Sequence, residues 1–361
     1  MKFIFYIGHP AHYHNFSNVS KNLADKGHQI VWVVREKDVL FELTKGTPYK
    51  TYFIKEKAPK NKWGRILRIL KRELIMFFIM LKFRPDMSIG TDLVITHIGK
   101  ILNIPSIIVN EDDAEAVPLF ANMGMKYAST ILAPESCSVS PYEAKSVLYK
   151  GYQELAYLHP NYFIPNRKKI EELFGGREKY FLLRFASLTA HHDDGMNGID
   201  DALARKIIAI LETKGKVWIT SERPLSEEFE QYRIAIPAKE IHHAMYFASL
   251  YIGDSQTMAA EAAVLGTPSL RFNDFVGKLG YLEELEHKYQ LTFGFLTDKA
   301  DELIDKIKEI ISLSDSESIW KERKEYLLKN TIDVTVFWTQ FFENYPDSVL
   351  QLKNEKSNFE N

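Results

Sequence analysis

The sequence predicts an α/β fold with two Rossmann-like domains, each built on a parallel sheet. Short apolar runs rich in β-branched residues alternate with segments of helical periodicity along most of the chain. The 361 residues exceed one typical domain, and 45% hydrophobic with 26% charged residues is an ordinary composition for a globular protein. A complete strand, turn, helix and second strand can be read between residues 249 and 270.

The first domain is predicted to span residues 1–165. Its strands are predicted at residues 3–7, 30–34, 50–54, 86–89 and 106–109, and its helices at 17–26, at 38–45 and in a long basic segment that ends near Phe83. These strands are apolar and β-branched, which is typical of buried parallel strands. The turn after the first strand, GHPAHYHNF, lacks the GxGxxG fingerprint, which argues against a dinucleotide site there.

The second domain is predicted to span residues 166–332. Four prolines interrupt the periodic pattern before it, which indicates the end of the first domain and a linker: Pro134, Pro141, Pro160 and Pro165. Strands are predicted at residues 180–185, 216–220 and 249–252, and helices at 199–212 and 256–265. Residues 333–361 are predicted to form a C-terminal helix rich in aromatic residues and a tail that is disordered from Asn354.

Composition limits the function classes. The net charge of −2 gives no overall attraction to nucleic acid or to an anionic membrane, and no nucleic-acid partner is expected. The single cysteine, Cys137, excludes an internal disulfide framework and fits a reducing compartment. The apolar run at residues 3–7 is too short for a signal peptide, and the longest apolar stretch, residues 74–81, is far short of the roughly 20 residues of a spanning helix. We therefore expect a cytoplasmic protein that is not integral to a membrane and has no cofactor.

The unit at residues 249–270 contains a candidate anion site. A turn leads into a helix that begins at Gln256, and the N–H groups and positive dipole end of such a helix favour a phosphate. The residues at this position are Gly253, Asp254, Ser255, Gln256 and Thr257. Because Ser and Thr also cap helices that bind nothing, the spacing alone leaves a capping role open.

Glu261 lies on the same helix face as Thr257, about 7 Å along the axis from the turn. This is near the distance from a diphosphate to its ribose, and a carboxylate there could accept hydrogen bonds from both ribose hydroxyls. A Glu in the middle of a helix is usually solvated, so the residue type alone leaves both interpretations open.

This stretch resembles the nucleotide-sugar site of GT-B proteins, especially UDP-N-acetylglucosamine 2-epimerases. The resemblance lies in GDS at residues 253–255, EA at 261–262 and LGTP at 265–268. It implies that the turn binds the diphosphate and that Glu261 binds the ribose, although Gln256-Thr257 replaces the family's Gly-Gly. GHPAHYHNF and IGDSQTMAAEAAVLGTP also resemble an uncharacterised family of GT-B-like proteins. The GT-B architecture implies two domains that face a cleft, with the acceptor on the first, and a C-terminal helix that crosses back onto the first domain.

Three histidines crowd the first turn, namely His9, His12 and His14. A neutral imidazole there could take a proton from an attacking hydroxyl. The peptidoglycan N-acetylglucosaminyltransferase has a His just before the helix, and His12 is the residue that resembles it most closely. Histidines in a polar turn also cap helices or bond to the backbone, so a structural role stays open.

Asn110, Glu111, Asp112 and Asp113 follow the strand at residues 106–109, at the edge where open α/β sheets bind ligands. A carboxylate from this run is a second candidate for the base or for a ligand of an acceptor hydroxyl. The resemblance to epimerases, which have a catalytic Glu at a comparable strand end, points to Glu111 or Asp112. The alternative is a charge cluster favoured by the dipole of the next helix.

Three further candidates lie in the second domain. Arg184 ends its first strand and could neutralise the charge of a diphosphate leaving group. His242 lies in a segment that contacts the base in the proteins this chain resembles, and a role at a helix start is equally open. The loop at residues 190–195 contains two His and two Asp, but adjacent residues rarely converge on one ion, so we expect no metal site.

Residues 55–84 are strongly basic in a chain that is slightly acidic. Ten basic residues against Glu56 and Glu73 give this segment a net charge of +8: Lys55, Lys57, Lys60, Lys62, Arg65, Arg68, Lys71, Arg72, Lys82 and Arg84. Apolar residues within it recur at mostly helical spacing, which is typical of a helix at an anionic membrane surface. In that case Arg65, Arg68 and Arg72 would stay outside the apolar boundary. A helix that packs on a sheet also needs an apolar face, and this alternative stays open.

The leading hypothesis is a glycosyltransferase that moves a sugar from a nucleoside-diphosphate sugar, UDP-linked by resemblance, to a cell-surface glycan or lipid-linked acceptor. His12 or a carboxylate of residues 111–113 would be the base, and Arg184 and the Ser255 turn would bind the departing nucleotide. The alternatives are an isomerase related to UDP-N-acetylglucosamine 2-epimerases and a binder of nucleotide sugars without activity.

Overall fold

A computed structural model describes residues 1–36, 38–55, 62–186 and 197–359 of the chain. It divides into two compact units, one formed by Met1–Tyr157 with Ile332–Asn361 and the other by Leu158–Thr331. In the described residues, no helix has both the length and the apolar character that crossing a membrane requires.

The first unit is built on a parallel sheet of seven strands within the described residues. The strands are β1 (Lys2–Ile7), β2 (Gln29–Arg35), β3 (Lys50–Ile54), β4 (Met87–Gly90), β5 (Ser106–Val109), β6 (Thr130–Pro134) and β7 (Ser146–Tyr149), in the order β3-β2-β1-β4-β5-β6-β7. The five predicted strands are confirmed. β7 falls in the stretch that the prolines marked as a linker, because an edge strand of four residues has little periodicity to reveal it.

The helices in the first part of the chain are α1 (Pro10–Asp25), α2 (Asp38–Thr44), α3 (Lys62–Phe83), α4 (Leu93–Leu102), α5 (Pro118–Met123) and α6 (Leu155–Leu158). α1 starts earlier than the predicted helix at residue 17. Pro10 occupies its first turn, and His9 caps it by accepting a hydrogen bond from the Ala11 N–H at 3.3 Å. His12 and His14 are therefore helical residues and do not belong to an open turn.

The second unit is built on a five-stranded parallel sheet within its described residues. Its strands are β8 (Tyr180–Phe185), β9 (Lys216–Ser221), β10 (Tyr251–Gly253), β11 (Ser269–Phe272) and β12 (Thr292–Phe295), in the order β12-β11-β10-β8-β9. Its helices are α7 (Arg167–Phe174), α8 (Asp201–Leu211), α9 (Ile241–Phe247), α10 (Gln256–Leu265), α11 (Gly280–His287), α12 (Ala300–Ser312) and α13 (Ser316–Asn330). The predicted bounds of α10 are confirmed, and Gly266 ends it with a φ of 81°.

The chain returns to the first unit through α14 (Val334–Glu343) and α15 (Asp347–Phe359). Trp338 and Phe342 of α14 are fully buried, and the Phe342 ring lies 6.3 Å from that of Phe5. The predicted return of a C-terminal helix to the first domain is confirmed. α15 continues to Phe359, whereas the sequence predicts disorder from Asn354.

Candidate functional site

In the second sheet the chain crosses from β9 over β8 to β10, so the strand order reverses between β8 and β10. Ligands of open α/β sheets bind at the carboxyl ends of the strands at such a point. The parallel register pairs Arg184 of β8 with Gly253 of β10. Two of the residues predicted to bind the nucleotide sugar are therefore neighbours at this position.

Gly253 allows β10 to approach β8 closely. A Cβ atom at this position would lie 2.6 Å from Tyr251 Oη and 2.9 Å from both Cβ and the carbonyl oxygen of Arg184. Real Cβ atoms essentially never make contacts this short, so a larger residue would displace the end of β8. The glycine thus fixes the position of Arg184 relative to the turn.

Asp254 connects the turn to the neighbouring strands. Its Oδ1 accepts a hydrogen bond from the Ala186 N–H at 2.5 Å, and its Oδ2 lies 3.6 Å from a guanidinium nitrogen of Arg223. Its carbonyl oxygen accepts from Asn273 Nδ2 at 3.1 Å. Burial raises the pKa of Asp254 to about 6. The carboxyl group therefore ties the turn to Ala186, the residue directly after β8.

The N-terminus of α10 follows directly. Ser255 is its N-cap, and the Ser255 hydroxyl accepts a hydrogen bond from the Met258 N–H at 3.4 Å. Gln256 Nε2 donates to Asn273 Oδ1 at 2.7 Å, and Thr257 is half-buried. The N–H groups of Gln256 and Thr257 have no acceptor within a helix that starts here, as at any helix N-terminus. They are the donors that an anion would meet first.

Glu261 and His242 form a buried pair between α10 and α9. Each residue is 5% exposed, and His242 Nε2 lies 3.0 Å from Glu261 Oε1. The sequence predicts both as nucleotide contacts without relating one to the other. The structure places them in direct contact, so the imidazole orients the carboxylate.

Two arginines lie beside the turn. Arg184 pairs with Glu222 after β9, and Arg184 Nε is buried without a hydrogen-bond partner among the described residues. Arg223 stacks on the Phe185 ring, 5.0 Å from its centroid, and donates to the Ile199 carbonyl. Arg223 was not predicted from the sequence as a site residue. Its position shortly after the predicted strand at residues 216–220 is a signal that could have identified it.

The first unit brings two carboxyl groups together at the carboxyl edge of its sheet. Glu111 Oε1 accepts a hydrogen bond from the Gln153 N–H at 2.9 Å, and Glu154 is 2% exposed. Burial and the adjacent carboxyl of Glu154 raise the pKa of Glu111 well above its usual value. Two carboxylates this close resist ionising together, so the pair retains a proton more strongly than a single Glu. Glu154 was not a sequence candidate because β7, which precedes it, was missed.

The aspartates beside Glu111 differ in their surroundings. Asp113 Oδ1 accepts a hydrogen bond from the Ser138 N–H at 2.6 Å, which ties this loop to the one after β6. Asp112 is half-exposed, and its charge also contributes to the raised pKa of Glu111. Asp113 therefore shapes the loop, and Asp112 stays a candidate ligand.

The three histidines of the first turn have separate environments. His12 Nδ1 accepts a hydrogen bond from the Gly8 N–H at 3.2 Å, which assigns the proton of the neutral ring to Nε2. The His9 ring meets that of His12 edge to face at 6.0 Å, whereas His14 stacks on Tyr157 at 5.2 Å. In this geometry His12 offers a donor, and it acts as a base only if the contact with Gly8 opens.

Over the part of the chain that the structure describes, no group of three or more His, Cys, Asp or Glu is arranged to hold a metal ion. The loop at residues 190–195, with its two His and two Asp, lies outside the described residues.

Comparison with known proteins identifies the family and the fold. Residues 2–312 match the model of the family described as protein of unknown function (DUF354), and the chain belongs to that family. No curated protein matches the sequence.

Solved structures share the architecture at low sequence identity. S. aureus MnaA, in a co-structure with UDP, has a TM-score of 0.67 at 13% identity, with 97% of both chains covered. UDP-GlcNAc 2-epimerase from Neisseria meningitidis bound to UDP-GlcNAc has a TM-score of 0.63 at 12% identity, with 94% of this chain and 100% of that chain covered. The glycotransferase of kitacinnamycin has a TM-score of 0.60 at 10% identity, with 95% and 98% covered. The fold is therefore of the predicted GT-B type.

Proposed function

We propose that this member of the DUF354 family is a glycosyltransferase that moves a sugar from a nucleoside-diphosphate sugar to a glycan or lipid-linked acceptor. The observation that carries the proposal is the arrangement at the strand reversal of the second sheet. Arg184, the Gly253–Ser255 turn and the N-terminus of α10 adjoin one another there, and the Glu261–His242 pair lies further along the helix. Structures of the same fold carry UDP or UDP-GlcNAc.

On the donor side, the turn would bind the diphosphate. The α10 N–H groups and the buried Arg184 Nε are donors for phosphate oxygens, and Arg223 adds a second cation. These groups would stabilise the negative charge that develops when the bond between the sugar and the diphosphate breaks. Glu261, oriented by His242, would accept hydrogen bonds from the ribose hydroxyls.

On the acceptor side, Glu111 is our preferred base. A carboxylate with a raised pKa is a stronger base than an ordinary Glu, and Glu111 would accept a proton in the form of the pair that holds its one proton on Glu154. The acceptor hydroxyl would give its proton to Glu111 as its oxygen attacks the anomeric carbon, and the nucleoside diphosphate would leave. Asp112 would bind a hydroxyl of the acceptor, and His12 Nε2–H would donate a hydrogen bond to the acceptor.

Incubation of the full chain with UDP-sugars, with and without candidate glycan acceptors, tests the proposal. We expect release of UDP only when an acceptor is present. If the protein binds UDP-sugars but turns over none of them with any acceptor tried, it is a nucleotide-sugar-binding protein without catalytic activity.

The Glu111–Glu154 pair also supports a second candidate, an isomerase related to UDP-GlcNAc 2-epimerases. In a carboxyl pair that holds one proton, the carboxylate can remove a proton from one face of a sugar carbon and the carboxylic acid can deliver one to the opposite face. In that case an epimerised sugar or free UDP would form without an acceptor. The cytoplasmic location stays a prediction.

A further inference from the structure

Helix α3 presents an apolar stripe to solvent. Trp63 is 74% exposed, Leu67 65% and Phe78 60%. The stripe also includes four further exposed side chains: Ile66, Leu70, Leu74 and Leu81. At 100° per residue, these seven positions fall within an arc of about 120° on a helix about 33 Å long.

The stripe is not the face with which α3 packs on the sheet. The opposite side of the helix supplies Met76, Ile79 and Met80 to the core of the first unit, and all three are buried. Because this opposite side already packs on the core, packing of α3 within the first unit does not explain the exposed stripe. A second apolar face of this size on a helix indicates an interaction surface.

The charges around the stripe are basic. Lys71 and Lys82 flank the stripe and are exposed, whereas Arg65 is exposed on the other side of the helix. Glu73 is the single acidic residue in the sequence of α3, and its Oε1 lies 2.5 Å from His97 Nδ1. The prediction that Arg72 stays outside with Arg65 and Arg68 is wrong. Arg72 is buried, and its guanidinium lies 2.7 Å from Asp92 Oδ2, because α3 packs against the loop after β4.

We propose that the α3 stripe docks the first unit on an anionic membrane surface. Trp, Phe and Leu on one face beside exposed Lys are the composition of a helix that lies in the headgroup boundary. The exposed lysines beside the stripe complement the negative charge of an anionic lipid surface. The docking is independent of the reaction proposed for the enzyme.

Cosedimentation of the full chain with vesicles tests the proposal. Vesicles that contain phosphatidylglycerol should bind the protein, neutral phosphatidylcholine vesicles should bind it far less, and added salt should weaken binding. Reversing Lys71 and Lys82 to Glu should lower binding by roughly 10²-fold or more. The matched control reverses Lys206 and Lys239, which are exposed residues of the second unit, and should retain most of the binding.

A second pair of variants tests the apolar part of the stripe. Leu67→Ser with Phe78→Ser should reduce binding, whereas Ile164→Ser with Leu119→Ser, at positions 81% and 65% exposed, should not. Circular dichroism confirms that each variant is folded. Equal binding to neutral vesicles, no effect of the α3 variants, or a dimer that Leu67→Ser dissociates would each overturn the proposal, and the last would assign the stripe to a second copy of the chain.

Discussion

The carboxyl edges of the two sheets differ in chemistry, although each sheet is parallel and reverses its strand order beside its first strand. In the first unit, β5 and β7 are followed by Glu111 and Glu154, whose proximity retains a proton. In the second unit, Arg184 is the penultimate residue of β8, Arg223 follows β9, and β10 leads into a helix N-terminus. One edge is suited to proton transfer and the other to an anion.

The difference lies in residues at or after the carboxyl ends of the strands and not in the buried parts of the strands. β5 is fully buried and β8 almost so, and both sequences are predominantly apolar. The architecture sets where a ligand can bind, and a few loop residues decide what is done to it. The comparison predicts that substitutions at one edge change catalysis and that substitutions at the other change nucleotide affinity.

The largest effect is expected at the first edge. Glu111→Gln should lower turnover by roughly 10²–10⁴-fold, because the base is lost while the amide oxygen can still accept from the Gln153 N–H. Affinity for UDP should not change. Glu115→Gln, an exposed position in the same loop, is the control. If Glu111→Gln instead lowered UDP affinity and left turnover normal, the first edge would serve nucleotide binding and not catalysis.

Glu154→Gln sharpens this test through the pH profile. Removing the neighbouring acid lowers the pKa of Glu111, so the base becomes ionised at lower pH. The acid limb of the pH dependence of kcat/KM should therefore move to lower pH. An acid limb that stays in place would exclude Glu111 as the titrating base.

At the second edge, Glu261→Gln should weaken UDP binding by roughly 10- to 100-fold, the scale of one charge-assisted hydrogen bond. Gln retains an oxygen that can face His242, so stability should change little. Isothermal titration calorimetry measures the affinity, with Glu325→Gln at an exposed position of α13 as the control. An unchanged Kd combined with a lower Tm would make Glu261 a structural partner of His242.

The smallest effect concerns Asp254. Its folded pKa of about 6 lies above its ordinary value, so its contribution to stability is present at low pH and is lost as pH rises through 6. Between pH 5 and pH 8 this loss amounts to about 1–2 kcal/mol of the free energy of unfolding. Asp254→Asn should abolish it. Urea denaturation at both pH values measures this, with the exposed Asp298→Asn as the control. The same pH dependence in both variants would contradict the assignment.

The sequence identified segments whose ends are marked by local chemistry. Gly253 and Gly266 punctuate α10, so its bounds could be predicted to the residue. Pro10 is an equally local signal for the start of α1, but the histidines after it were interpreted as a turn. β7 has only four residues and no glycine or proline directly at its ends, so it was not predicted. Glu154, which follows it, was therefore not identified either.

Pairings between distant residues could not be predicted from the sequence. His242 and Glu261 are separated by 19 positions and meet because α9 packs on α10. Arg72 seemed to be a surface charge because its partner, Asp92, lies on the loop after a different strand. Such contacts follow from the tertiary arrangement, which residue spacing does not encode.

The discontinuity of the first unit bears on the order in which the chain folds. Residues of the second unit are contiguous, so that unit can fold as soon as Thr331 has left the ribosome. The first unit must wait for α14, because Trp338 and Phe342 fill its core beside Phe16 and Phe5. Until α14 is available, we expect an apolar surface on its sheet to stay open during synthesis, which exposes this unit to association with other chains.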